Sequence, residues 1–459
     1  MKQTLKVFLM AMGIIALTNS QLSASGKKPV QYNEDGDIIK TGWNLGPLPV
    51  VAFDNDRGFQ YGALLNLYNF DDGSTYPNPK SAWYFEASAY TKGTSKVIVN
   101  YDKRELFPGV RLFAGASYSN EKALDFYGLN GYQTLYDMNA LTISTEDAKL
   151  QDKMDAGKAP KGFYRHSRNL LKAKAELQGH ITENFFWEAG YNLNWTSISA
   201  FVPDNYSVAE GNLYDLYQSW GIISPDQANG GLISALRLGL MYDTRDREKN
   251  PSRGIWAEAH LSAAPSFLGT SHPHLHVGAT MRQYLPIVDK KLTFAYRAVY
   301  QGFFGKDVPW YALPFYSMMG SADADWDGIG GYRTVRGLSL NRVQGLQTVF
   351  YNAELRWRFV DFQFANQNIA LALSTFCDGA SVLQAYDLSN KNAATNDVAT
   401  NALYDKFIDT SKPDGLHLAA GGGFRFIMNE NFIIALELAR CFDQRDGGTA
   451  FYINTGFLF

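Results

Sequence analysis

A period of two, sustained over segments of about a dozen residues, most restricts what this chain can become. Leu171, Ala173, Ala175 and Leu177 alternate with Lys172, Lys174, Glu176 and Gln178. Leu236, Leu238, Leu240 and Tyr242 alternate with Arg237, Gly239, Met241 and Asp243. Val349, Tyr351, Ala353, Leu355, Trp357 and Phe359 alternate with Phe350, Asn352, Glu354, Arg356 and Arg358. A helix would scatter Lys172, Lys174 and Glu176 around its circumference, whereas a strand collects them on one face. Sixteen such segments are predicted, at 48–54, 58–70, 82–91, 96–105, 110–119, 168–180, 185–197, 232–245, 254–263, 274–286, 291–303, 348–360, 368–379, 415–427, 431–441 and 449–459. They are too long for a soluble β-sandwich, whose strands run to about 5–6 residues. One face of each carries Leu, Phe, Trp and Tyr, as a lipid-facing wall requires.

The connections supply a second test. Even connections are mostly short, such as Thr182–Asn184 and Val288–Lys290, although Asp71–Ser81 is longer. Four odd ones are long, at about 120–167, 198–231, 304–347 and 380–414. Outer-membrane barrels have short periplasmic turns and long outer loops. The expected fold is therefore all-β: a 16-stranded antiparallel transmembrane β-barrel with long extracellular loops.

Lys2 and Lys6 precede an apolar run from Val7 to Leu17, followed by Ser20, Ser23, Ala24 and Ser25. That run is shorter than the ~20 residues of a spanning helix and has the parts of a secretory signal peptide. The expected layout is a signal peptide at 1–24, a short periplasmic tail at 25–46 and a barrel at 47–459, in the bacterial outer membrane. Aromatic residues make up 14% of the chain and charged ones only 19%. A net charge of −3 gives no reason to expect nucleic acid. Two cysteines, Cys377 and Cys441, exclude a disulfide framework and a cysteine-based zinc module.

Several stretches resemble one family. They are Gly330-Gly331-Tyr332-Arg333-Thr334-Val335-Arg336-Gly337-Leu338, Asn352-Ala353-Glu354-Leu355-Arg356 and Phe376-Cys377-Asp378-Gly379. Tyr242-Asp243-Thr244-Arg245-Asp246 and Pro251–Gly254 match two further motifs. The chain resembles the BamA/TamA superfamily of outer-membrane assembly and secretion barrels (bacterial surface antigen), which includes the two-partner secretion transporters. Leu338 stands where that family usually has an aromatic residue. About 20 residues separate the cleavage site from the first strand, fewer than the ~50 of a folded domain. A barrel-only member without periplasmic POTRA repeats is expected.

The resemblance implies that the long loop before strand twelve folds into the lumen. There Arg336, beside Gly337, would pair with Glu354 and Asp378 as a structural and gating clamp. Alternation independently places Glu354 and Asp378 on the inward face. The resemblance also makes the chain end a closing strand and assembly signal, carried by Asn454, Gly456, Phe457 and Phe459. The expected function is protein insertion into, or transport across, the outer membrane, through a weak seam between the first and last strands. Short strand one and the glycine-containing last strand would allow such a seam. The alternative is a passive channel or structural surface barrel. Expected partners are outer-membrane lipid or lipopolysaccharide, the barrel-assembly machinery during biogenesis and protein clients.

Other constellations are weaker. His272, His274 and His276 alternate and could ligate zinc or copper. Pro273 puts them at a strand start, where polar residues are ordinary, so no metal site or cofactor is assigned. Asp323, Asp325 and Asp327 could bind calcium but read better as a solvated loop. A hydrolase would need a serine near histidine on the outer wall. His260, with Ser262 and Glu258, is predicted inward, and no Gly-x-Ser-x-Gly occurs. No catalytic residue is expected. Lys172, Lys174, Glu176, Arg237, Glu258, Arg282, Arg297, Arg356, Arg358, Arg425 and Glu437 are predicted to face a filled lumen rather than an ion path.

Overall fold

The computed structural model describes residues 31–32, 38–76, 78–136, 143–144, 148, 151, 161–203, 207–208, 211–248, 250–319, 325–364, 367–428, 432–455 and 458–459. Sixteen strands close into one antiparallel barrel. They are β1 Trp43–Asp54, β2 Gly58–Asn69, β3 Ser81–Tyr90, β4 Thr94–Phe107, β5 Val110–Asp125, β6 Arg165–His180, β7 Phe185–Ala200 and β8 Gly230–Asp243. Then follow β9 Gly254–Ala264, β10 His274–Val288, β11 Leu292–Phe304, β12 Gln347–Phe364, β13 Gln367–Gln384, β14 His417–Met428, β15 Phe432–Cys441 and β16 Thr449–Thr455.

The burial pattern follows the alternation. Leu236, Leu238, Leu240 and Tyr242 of β8 are exposed on the wall, while Arg237 and Met241 are buried inside. Trp195 and Trp357 point outward, where an indole can reach the headgroup region. Among the described residues no helix is long and apolar enough to cross a membrane. With backbone donors and acceptors paired strand to strand, a closed sheet meets lipid without one.

β1 is not short: it begins at Trp43, four residues before the expected boundary, and runs twelve residues. β16 differs the other way. It ends at Thr455, whereas the alternation extended it to 459. Gly456 and Phe457 lie outside the described residues, as does the expected signal peptide.

The long odd connections build a roof over the outer end. Helices α1 (Leu213–Ser219), α2 (Pro225–Ala228) and α3 (Val398–Phe407) lie in the loops 201–229 and 385–416. With the loop 126–164 they enclose a core that includes Phe126, Tyr164, Tyr217, Trp220, Trp310 and Phe407. Aromatic side chains bury large areas each, so this cap is a packed layer. Beneath it a cavity of about 30 Å³, lined in part by Asn192, Ser262, His276, Phe303 and Phe315, has room for little more than water.

Candidate functional site: the lumen clamp and the seam

The loop 305–346 enters the lumen. Its short hairpin, Phe315–Ser317 with Asp325–Asp327, docks on the wall. Asp327 takes a two-pronged hydrogen bond from Arg168 of β6, which also reaches Glu121 of β5 at 2.6 Å. Asp327 is therefore a partner of arginine; Asp323 lies outside the described residues. Further along, Gly330 donates to Thr334 Oγ1 and Gly331 to the Leu338 carbonyl, so the segment turns back on itself.

This turn delivers Arg336 to the inner wall. Its Nε donates to Asp378 Oδ2 at 2.7 Å and its Nη2 to Asp378 Oδ1 at 3.0 Å. The Arg336 backbone N–H adds a third bond to the same carboxylate at 3.1 Å. Nη1 donates to Glu354 Oε2 at 3.3 Å and to Glu437 Oε1 at 2.7 Å. The guanidinium carbon lies 3.4 Å from the centre of the Phe376 ring. A planar, forked cation suits this site in a way an ammonium would not.

The carboxylates are shared. Arg425 Nη2 lies 2.7 Å from Glu354 and 2.9 Å from Glu437, and Arg356 Nε lies 3.4 Å from Glu354. Three arginines thus face three acids, all buried. Burial disfavours the Arg336 charge, but Asp378, Glu437 and Glu354 hold its pKa well above the usual arginine value.

Gly337 sits at φ +98°, in left-handed backbone. A β-carbon there would stand 3.1 Å from Ala419 Cβ and 3.2 Å from the Arg440 carbonyl carbon. Its N–H donates to the Tyr452 hydroxyl of β16 at 3.1 Å. The clamp therefore touches the last strand as well as strands β12 to β15.

The structure brings Arg336, Gly337, Glu354 and Asp378 together. Glu437, Arg425, Phe376 and Tyr452 join them without having been singled out as clamp members. Alternation had marked Glu437 and Arg425 as inward. In register Arg425 stands opposite Ala372 and Glu437 opposite Gly423, four or more residues along from the row of Asp378, so pairing alone would not have joined them to the clamp.

The barrel closes where pairing is least. β1 pairs with β2 at twelve positions and β15 with β16 at seven. Among the described residues β16 and β1 share one registered position, Ile453 opposite Phe53. Continuing that antiparallel register would set positions 457 and 459 against Pro49 and Pro47. Proline carries no N–H and is tolerated where its nitrogen faces away from an intact ladder. The β1–β2 ladder runs through both prolines, so both missing donors fall on the seam edge.

Asn454 stays in β16, buried. Phe459 leaves the wall and is buried inside against Tyr284 and Ala295. Arg297 and Arg356 flank its ring at 5.1 and 5.0 Å, and Arg356 Nη2 donates to its carbonyl at 2.9 Å. The last residue is thus lumenal rather than part of the closing strand.

The three histidines do not converge. His274 Nδ1 contacts the His272 carbonyl at 2.8 Å, His276 bonds Gln301, and His272 lies in the loop before β10. His260 and Ser262 face the lumen, not the outer wall.

A family model described as the Omp85 superfamily domain matches residues 109–459. Among solved structures, BamA from Haemophilus ducreyi lacking POTRA domains 1–3 is similar at 15% identity and a TM-score of 0.53, covering 97% of this chain and 77% of that one. CdiB from Acinetobacter baumannii is similar at 11% identity and a TM-score of 0.43, covering 92% of this chain and 61% of that one. No curated protein sequence matches the chain.

Proposed function

The chain belongs to the Omp85 superfamily, and on that premise we propose that it inserts proteins into the outer membrane or moves them across it. The observation that carries this reading is the seam, where one registered pair among the described residues joins β16 to β1. An edge with free backbone groups is a template for another strand. A client strand would add at the seam, on the part of the β1 edge beyond Pro49, and leave laterally into lipid.

The clamp has a supporting role in this proposal. Arg336 ties the lumenal loop to Asp378, Glu354 and Glu437, and Gly337 ties it to Tyr452. The loop would brace the inner wall while the seam works. The closing segment around Asn454, Gly456, Phe457 and Phe459 would serve as the chain's own assembly signal. Its partners would be protein clients, outer-membrane lipid and, during biogenesis, the barrel-assembly machinery. The passive-channel alternative has against it the aromatic roof and the charge-paired lumen beneath it.

The test is a locked seam. Phe53→Cys with Ile453→Cys, in a background of Cys377→Ser and Cys441→Ser, would form one disulfide across the registered pair Ile453 and Phe53. In proteoliposomes the reduced protein is expected to accelerate folding of a barrel client, and the oxidised protein to lose that acceleration. Equal client folding with the seam locked and unlocked overturns the reading.

A further inference from the structure

Three outer loops that are far apart in sequence meet above the lumen. The loop 201–229 brings Asp226, the loop 265–273 brings His272 and the loop 305–346 brings Asp307. The His272 ring is buried, with 6% of its side chain exposed, and the two aspartates are open to the medium.

His272 is held as a metal-binding imidazole is held. Its Nδ1 lies 2.7 Å from Asp307 Oδ2. The other oxygen of Asp307 accepts from Gln227 Nε2 at 2.8 Å. Gln227 is itself buried, and its Oε1 accepts from the Trp310 backbone N–H at 3.3 Å. With its Nδ1 proton committed to a fixed carboxylate, a neutral ring presents the Nε2 lone pair. A carboxylate behind a histidine in this way is the usual outer support of a metal ligand.

Nε2 faces Asp226 Oδ2 at 3.7 Å and has no hydrogen-bond partner among the described residues. That separation is too long for a hydrogen bond. It is close to the spacing of two ligands on one ion: bonds of about 2.1 Å at a tetrahedral angle put ligand atoms about 3.4 Å apart. We propose that His272 Nε2 and the Asp226 carboxylate bind a divalent cation of the zinc type, with Asp307 orienting His272 and water completing the shell. The ion would join the loops 201–229 and 265–273 directly and the loop 305–346 through Asp307. His274 and His276 take no part: His274 Nδ1 contacts the His272 carbonyl, His276 Nε2 bonds Gln301, and neither ring joins the atoms that converge here.

The test is a calorimetric titration of Zn²⁺ alone into the untagged full chain in detergent micelles. One saturable equivalent is expected. His272→Ala and Asp226→Asn should each raise Kd more than tenfold, and Asp307→Asn about tenfold. His180→Ala, at the other end of the barrel, should leave Kd unchanged. Heat-modifiable migration reports whether each variant is folded, and the exposed Asp226 can change without disturbing a core. The proposal is overturned if no saturable binding occurs up to millimolar Zn²⁺. It is equally overturned if folded Asp226→Asn and His272→Ala bind as the parent does, or if His272 proves to be only a protonated bridge between the two aspartates.

Discussion

Arg336 grips both oxygens of Asp378, with Nε 2.7 Å from Oδ2 and Nη2 3.0 Å from Oδ1. The two residues lie 42 positions apart, one on a loop and one on β13. This bidentate contact is the centre of a buried network of three arginines and three acids.

Removing one member of such a network leaves charge without compensation. Arg336→Ala is expected to destabilise the folded barrel by about 3–5 kcal/mol. The heat-modifiable gel transition should move to lower temperature, and the loop 305–346 should become cleavable by added protease. Arg336→Lys should recover only part of this, because an ammonium cannot make the parallel pair. An unchanged transition in Arg336→Ala would remove the clamp's structural role.

Gly337→Ala tests the backbone rather than the charge. A non-glycine residue in left-handed backbone costs about 1–2 kcal/mol, and here the added methyl also meets Ala419 at 3.1 Å. The expected result is a loop that is protease-sensitive while Arg336 is intact. Full protection in Gly337→Ala would show that the turn tolerates a side chain.

Pro47 and Pro49 bear on the seam. Replacing both with valine restores two N–H donors on the β1 edge. Amide exchange along β1 and β16 should slow, and client folding in proteoliposomes should fall. If exchange is as fast as in the parent, the prolines are not what keeps the seam open.

Asp327 predicts an acid limit for loop docking. Burial would raise its pKa, but Arg168 foremost, with Lys172, outweighs this and holds it at about 2. A depressed carboxylate contributes stability above its unfolded value, about 3.9. That contribution is lost as pH falls from there through about 2. Hairpin docking should therefore be constant from neutral pH to about 5 and weaken only below about 4. Pepsin cleavage of the loop across this range measures it, and Asp327→Asn should show cleavage with little pH dependence.

The sequence carried the wall well. Alternation placed Leu238 outward and Arg237, Glu354 and Asp378 inward, because lipid allows one kind of side chain and the lumen another. Strand ends were less legible. Trp43–Gly46 extended β1 although it was read as tail, since pairing with β2 sets that end. The chain end was misread too, because Phe459 is held in the lumen by Tyr284, Arg297 and Arg356, partners visible only in the closed barrel. The resemblance supplied Arg336 with Glu354 and Asp378, but Glu437 lies 101 positions away and is reached only because the lumenal loop folds back onto the inner wall.

What the sequence determined by itself is the number of strands and, along most of each strand, which side chains face the wall and which face the lumen. These follow from a local period and from the need of every backbone group in lipid to be paired. What only the tertiary structure decided is which inward residues meet. Closure of the barrel sets Tyr452 against Gly337, leaves one registered pair at the seam among the described residues, turns Phe459 into the lumen and brings Asp226, His272 and Asp307 within reach of one ion. Such meetings depend on strand register and loop folding summed over the whole circumference, which no stretch of sequence contains.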